Sequence, residues 1–310
     1  IISHGFLSTF LKRFNLLNLT YQEWIRRNDR WDEADITEIR AIIEEMGSKP
    51  SISILMPVYN PPVSLLKEAI QSVIDQAYPY WELCIADDAS TNPDIKTLLN
   101  DFVQADPRIK VVFRSTNGHI SEASNSALEL VQHPFVALLD HDDLLHPLAL
   151  YFVSMHILEY PDSEIIYSDE DKITKRGRRL DPYFKPDFNY ELLLGHNMVS
   201  HLGVYRTETM RNIGGFREGL EGSQDYDLLL RILERVKPNQ IHHIPFPLYH
   251  WRISRQSAAE DLNAKPYAIQ AGIRALKEHL DRVSRKGIVK FSPDLSAYKI
   301  EYDIPSPKPS

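Results

Sequence analysis

The chain has a single cysteine, Cys84, among its 310 residues. No disulfide can form within it, which suits a reducing compartment and makes a cytoplasmic location the expectation. Long apolar runs are missing too, since no uninterrupted stretch reaches the roughly 18 residues that a membrane-spanning helix needs. There is no basic excess: 35 Lys and Arg stand against 43 Asp and Glu, a formal net charge of −8. A general nucleic-acid binder would want a basic face, so that class is set aside. No signal-peptide pattern stands at the start. The chain opens with Ile1 rather than Met, however, so it reads as a piece of something longer. What is present is ordinary for a globular protein, with 43% hydrophobic and 25% charged residues.

Residues 1–49 read as a helical extension. Phe6, Leu7, Phe10, Leu11, Phe14 and Leu17 recur at helical spacing beside Lys12 and Arg13. Such a helix either lies on a membrane surface or packs on the domain behind it, and packing is the preferred reading. Asp32 to Glu45 reads as a second helix. From Ser51 the pattern alternates: strands at SISILMPVY, WELCIADD, IKVVFRS and FVALLD, separated by helical stretches. Repeated strand–helix units imply an α/β fold with a mostly parallel central sheet flanked by helices. Beyond Pro147 the spacing predicts a helix to Glu159, a strand at SEIIYSDEDKI, a hairpin or loop at KRGRRLDPYFKP and a strand at HLGVYR. A helix over 226–235 and a strand at QIHHIPFPLYHW follow, the latter an edge because of its prolines. Lys265 to Val283 is a helix, and the tail reads as a proline-rich linker. Its closing KPS repeats the KPS at 49–51, and a further module of the same kind is expected after it.

Parallel sheets bind ligands at the carboxyl ends of their strands. There this chain releases Tyr59 and Asn60, then Asp87 and Asp88, then the run DHDD at 140–143. If the strand continues through that run, Asp140 and Asp142 share a face. Two carboxylates so placed hold a hard divalent cation with room for phosphate oxygens. The alternative is a solvated loop in which Asp143 caps the helix starting near His146.

PVYNPPVSLLKEAIQSVIDQAYPYWELCIADDAS, FVALLDHDD, GGF (214–216) and QDYDLLLR (224–231) together resemble the family-2 glycosyltransferases, in order and spacing over about Ser51 to Ser257. The resemblance implies a GT-A fold, a nucleotide-diphosphate-sugar donor, a divalent metal (Mn²⁺ or Mg²⁺) and inversion at the anomeric carbon. It divides residues 50–260 into a nucleotide-binding half (50–147) and an acceptor half (148–260), followed by a C-terminal helix and linker (261–310). Pro57, Tyr59 and Asn60 match the motif lining the base pocket. Asp88 matches the nucleobase contact, with Asp87 its structural neighbour. Asp140 matches the first aspartate of the DxD motif, near ribose or metal, and Asp142 the second, a direct metal ligand. The chain departs from the family's Arg-Asn with Ser124-Asn125, so Asn125 alone matches there.

Asp225 matches the general base, with Gln224 in place of the usual glutamate; a helix N-terminus would keep Asp225 ionised. Gly214, Gly215 and Phe216 match the acceptor loop. In YHWRISRQSA, Arg252 and Arg255 match a diphosphate clamp, and His250 is a candidate to complete the metal shell. SDEDK (168–172) either orients acceptor hydroxyls or is a solvated turn, the turn being preferred, and HNMVSH (196–201) lies where the acceptor should approach.

Within the family, the run from YSDEDK through SHLGVYR resembles modules of O-antigen or rhamnan-type assembly proteins, often in tandem. The implied acceptor is a glycan or lipid-linked glycan, with peripheral attachment at the inner membrane. A processive synthase is disfavoured by the lack of membrane spans and of a QxxRW segment. Two rivals remain. A nucleotidyltransferase would want a glycine- and lysine-rich loop where VYNPPVS stands. A non-catalytic glycan-binding module would be free to lose Asp142 and Asp225, which are both present.

Overall fold

A computed structural model describes residues 20–253 and 266–303. The amphipathic stretch from Phe6 to Leu17, and Arg255, lie outside the described residues. Four strands, β1 (Ile52–Val58), β2 (Trp81–Asp87), β3 (Ile109–Phe113) and β4 (Phe135–Leu138), run parallel in the order β3-β2-β1-β4. The chain moves outward from β1 to β3 and then returns to the other side of β1. That reversal opens a crevice beyond the carboxyl ends of β1 and β4.

The sheet continues through β8 (Gly203–Arg206), antiparallel to β4, then β6 (Ile165–Ile173) and β9 (Ile241–Arg252), and ends on the short β5 (Leu144–Leu145). One sheet thus runs through both halves of the chain. Its core lies on both faces, as the alternation within β1 dictates. Ile52, Ile54, Met56 and Val58 pack beneath α2 (Glu33–Glu45), α3 (Val63–Ile74) and α6 (Ala149–Glu159). Leu55 faces α5 (His119–Leu130), α9 (Gln224–Leu233) and α10 (Pro266–Arg282). Among the described residues no helix is long and apolar enough to cross a membrane.

Three expectations change. The acids of SDEDK are not a solvated turn. They lie on the second half of β6, inside the sheet between β9 and β7 (Arg179–Tyr183), and each is buried and paired: Asp169 with His243 Nε2 at 2.8 Å, Glu170 with Lys185 Nζ at 3.0 Å, Asp171 with His250 Nδ1 at 2.6 Å. Burial without partners would be prohibitive, and the fold brings a hydrogen-bonding partner to every one of these acids. The tail is not only a linker. Residues Gly287–Ser292 and Ala297–Tyr302 form an antiparallel hairpin, β10 and β11, whose Val289, Tyr298 and Ile300 pack on the core. And β9 is an edge only in its first half, since β5 pairs with it at Tyr249 and His250.

The helical extension docks on both halves of the sheet. Residues 20–28 are helical, and Tyr21 donates to Asp171. Just beyond, the buried Asp29 accepts from His146 Nε2 at 2.8 Å and from Arg179. Burial works to raise the pKa of Asp29, but the hydrogen bond from His146 and the Arg179 guanidinium outweigh it and hold the carboxyl below its ordinary range.

Candidate active site

The run DHDD follows the end of β4 and forms a turn, with Asp143 N donating to Asp140 O at 3.3 Å. A turn brings positions i and i+3 together, where a strand would have aligned i and i+2. Asp140 and Asp143 therefore converge, and the third member of their group is His201 rather than Asp142. One ligand atom from each of the three lies within 4.8 Å of the others. His201 stands at the start of β8. Because β8 runs antiparallel to β4, its beginning lies beside the end of β4. His201 Nε2 is 3.8 Å from Asp140 Oδ2, its ring stacks on Tyr249 at 4.4 Å, and its buried Nδ1 has no hydrogen-bond partner among the described residues. Two carboxylates and an imidazole with an unpaired nitrogen are a donor set that suits Mn²⁺ or Mg²⁺.

Asp143 does not cap a helix: α6 starts at Ala149 with no side-chain cap. Its carboxylate instead accepts from Tyr249 Oη and Arg252 N, both at 2.7 Å. Burial, then the charges of Asp140 and Asp142, push its pKa well above the usual carboxylate range. Asp142 is raised as well, chiefly by burial, with His141 opposing and Asp140 adding to the rise. This is a like-charge cluster that a cation would relieve.

His250 and Arg252 are placed elsewhere. Along β9, Tyr249 and Trp251 both face His201, so His250 and Arg252 point to the opposite side of the strand. His250 is bound to Asp171 and lies edge-on to His146, 5.8 Å between ring centres. The Arg252 guanidinium lies under the acidic turn, donating to Asp142 O at 2.7 Å and to Glu68 at 2.6 Å. It props the loop that carries the acids.

On the donor side, Pro57 and Asp140 line a cavity of about 190 Å³ at the carboxyl ends of β1 and β4. Tyr59 is 47% exposed. Asn60 Oδ1 accepts from Thr91 N at 2.9 Å and ties the first strand's loop to the second's. Asp88 has partners within the chain. It lies 2.8 Å from Arg114 Nε and accepts from Gly118 N at 3.0 Å. The buried Asp87 Oδ1 is the oxygen without a partner among the described residues. Asn125 clamps the loop at 214–216: it donates to Phe216 O and accepts from Phe216 N, both at 2.8 Å. Gly215 beneath it has φ +67°, and a Cβ there would strike Asn125 Oδ1, so the position requires glycine. Gly214, φ +83°, completes the same turn.

At the start of α9 two aspartates separate. Asp227 is buried and held by Arg231 Nε at 2.8 Å and Arg217 Nε at 3.0 Å. Asp225 opens on space, and Asn197 Nδ2 donates to its Oδ2 at 2.8 Å. Gln224 turns back to accept from Gly222 N. The helix N-terminus does not dominate Asp225. Burial raises its pKa, and the nearby His201 and the backbone N–H groups only partly offset this. The loop bearing Asn197 and His201 is fixed from below by the buried Lys185 Nζ, which donates to Val199 O at 2.7 Å and His201 O at 2.5 Å.

Asp225 lies on the shared wall of two cavities. One is the 190 Å³ space beside Asp140; the other, of about 810 Å³, extends from Glu170 and Asn197 to the C-terminal hairpin. Trp251 and Ser200 also border both. Sequence reasoning placed His201 on the acceptor side and missed its approach to Asp140, and it missed Trp251 and the hairpin. The antiparallel return of HLGVYR beside FVALLD is the signal that would have brought His201 to Asp140.

The glycosyl transferase family 2 model matches residues 53–214. The uncharacterized protein y4gI of Sinorhizobium fredii is 50% identical over 270 residues, covering 87% of this chain and 30% of that protein. The O-antigen biosynthesis protein RfbC of Myxococcus xanthus is 35% identical over 273 residues, covering 88% of this chain and 21% of that one. The chain thus spans less than a third of either relative. Among solved structures, S. aureus TarS 1–349 in complex with UDP-GlcNAc aligns with a TM-score of 0.55 at 20% identity, over 75% of this chain and 72% of that chain. That likeness shows the fold, GT-A, as the sequence resemblance implied.

Proposed function

The chain belongs to glycosyl transferase family 2, and from that premise we propose a metal-dependent, inverting transfer of a hexosyl or rhamnosyl unit. The donor is a nucleotide-diphosphate sugar and the acceptor a hydroxyl of a growing bacterial surface polysaccharide. The observation that carries this reading is Asp225 on the wall between two cavities, one bordered by Asp140 and the other open towards the C-terminal hairpin. A sugar nucleotide seated at the carboxyl ends of β1 and β4 turns its anomeric carbon towards Asp225. An acceptor hydroxyl entering from the larger cavity attacks from the face opposite the leaving diphosphate, and its proton passes to the Asp225 carboxylate. One displacement from one face inverts the centre. Asn197 holds one oxygen of Asp225 and leaves the other for the hydroxyl. A pKa raised by burial makes this carboxylate a stronger base than a solvated one.

Asp140, Asp143 and His201 would hold Mn²⁺ or Mg²⁺, with Asp142 beside them; the ion would supply charge neutralisation for the leaving diphosphate. The unpaired Asp87 Oδ1 is the better candidate than Asp88 to accept from a nucleobase N–H. The UDP-GlcNAc complex of TarS supports a nucleotide-sugar donor, and the name of RfbC supports a polysaccharide product. The low coverage of RfbC and y4gI supports a module within a longer, multi-module protein. Its place is the cytoplasm or the cytoplasmic face of the membrane.

The test is nucleotide release from a panel of UDP-, GDP- and dTDP-sugars with Mn²⁺. Release by the wild type and its loss in Asp140→Ala is the expected result. Equal rates in both would refute metal-assisted transfer, and binding without any release would favour a glycan-binding module.

A further inference from the structure

The larger cavity has a wall that the family match does not reach: part of it comes from residues 268–298, the start of α10 and the β10–β11 hairpin. We propose that this cavity is a subsite for an uncharged saccharide of several rings, held against aromatic side chains that the hairpin contributes. The proposal rests on the reading of Asp225 as the base, because it says what the hydroxyl in front of that base belongs to.

Size is the first argument. At about 810 Å³ the cavity sits towards the upper end of the roughly 300–1,000 Å³ range of small-molecule sites, which is room for more than one sugar ring. The second is the lining. Tyr183, Tyr226, Trp251, Phe291 and Tyr298 border it. Phe291 meets Tyr298 edge-on at 5.6 Å, and Tyr298 stacks on Tyr226 at 6.0 Å. A continuous aromatic path thus leads from the hairpin towards Asp225. A pyranose has apolar C–H faces and a rim of hydroxyls, so it suits a surface of rings interrupted by hydrogen-bonding groups such as Asn197 and Glu170.

Charge is the third. No arginine lines the cavity among the described residues, so these offer no guanidinium fork to a phosphate or carboxylate. Lys172 borders it, but its Nζ lies 3.6 Å from Asp181. Glu170 is likewise paired with Lys185, and Asp225, held by the neutral amide of Asn197, is the acid on this wall with no salt bridge among the described residues. An anionic chain or a lipid diphosphate would meet repulsion here, and a neutral saccharide would not. Finally, Leu295 at the hairpin tip is 77% exposed and still borders the cavity, an apolar contact for an outer ring.

The test is ligand-observed NMR titration of the chain with neutral tetrasaccharides of rhamnose, mannose and glucose, the matching monosaccharides, and a hyaluronan tetrasaccharide. At least one neutral tetrasaccharide should bind about tenfold more tightly than its monosaccharide and than the acidic tetrasaccharide. Phe291→Ala and Leu295→Asp should each weaken it about fivefold or more, while UDP affinity with Mn²⁺ stays as in the wild type. Leu295 is exposed, so that variant tests the wall without threatening the fold. Absence of neutral-saccharide binding, tighter binding of hyaluronan, or indifference to both substitutions would overturn the proposal. UDP binding without saccharide binding would sink this inference and leave the donor-side reading standing; the converse would do the opposite.

Discussion

Asp225 and Asp227 stand two residues apart on one helical turn, and the structure gives them opposite surroundings. Asp227 has no exposed side-chain surface and is held by Arg231 and Arg217. Replacing it with Asn leaves the oxygen acceptor but strands two guanidiniums. Removing one partner of a buried ion pair costs about 3–5 kcal/mol. Arg217 is one-third exposed and keeps Glu278 at 2.6 Å, which favours the lower end. A loss of about 3 kcal/mol corresponds to a fall in Tm of roughly 6–12 °C for a chain of this order of size. Asp225→Asn should behave in the reverse way. Burial already disfavours its charge, and Asn197 can still donate to the new amide oxygen, so stability should change by less than about 1 kcal/mol. Transfer, deprived of its base, should slow by about 10²–10⁴-fold. The assay pairs thermal unfolding with transfer rate at saturating donor. Near-normal transfer by Asp225→Asn, or a hundredfold loss in Asp227→Asn with an unchanged Tm, would refute this division of labour.

Asp29→Ala should destabilise the chain by about 3–5 kcal/mol in urea unfolding, because it leaves His146 and Arg179 buried without their shared acid. The folded pKa of Asp29 is depressed, so this stabilisation is complete above the unfolded value and is lost as pH falls. The gap between wild type and variant should be full near neutrality and close below about pH 4; a gap independent of pH would contradict the ion-pair assignment. His201→Gln should weaken Mn²⁺ binding by about tenfold or more in calorimetry with UDP present, with little change in Tm. Unchanged Mn²⁺ affinity would remove His201 from the ligand set.

The parallel half of the sheet was legible because buried strands announce themselves by length and by apolar content, and β1 to β4 fell where the runs SISILMPVY, WELCIADD, IKVVFRS and FVALLD stand. The candidate site could be outlined from the sequence through Asp140 and Asp225, which border one cavity, and was blurred in detail. Extending strand periodicity four residues beyond Leu138 paired Asp140 with Asp142, whereas the turn pairs it with Asp143. The acids of SDEDK looked solvated because their partners, His243, Lys185 and His250, come from 15 to 79 residues away and no local pattern reveals them. The C-terminal hairpin was readable. Val289 and Phe291 alternate with Lys290, Tyr298 and Ile300 with Lys299 and Glu301, around a PDLS turn. The prolines that follow drew attention from it.

The account stands on where the donor sits relative to Asp140 and Asp225. Crystals grown with Mn²⁺ and the nucleotide sugar that the release assay selects would test this through manganese anomalous scattering. The expected map has the manganese bonded to a carboxylate of the 140–143 turn, the diphosphate at the ends of β1 and β4, and the anomeric carbon facing Asp225. Manganese bound away from that turn, or a nucleotide lying in the 810 Å³ cavity beside the hairpin, would contradict it.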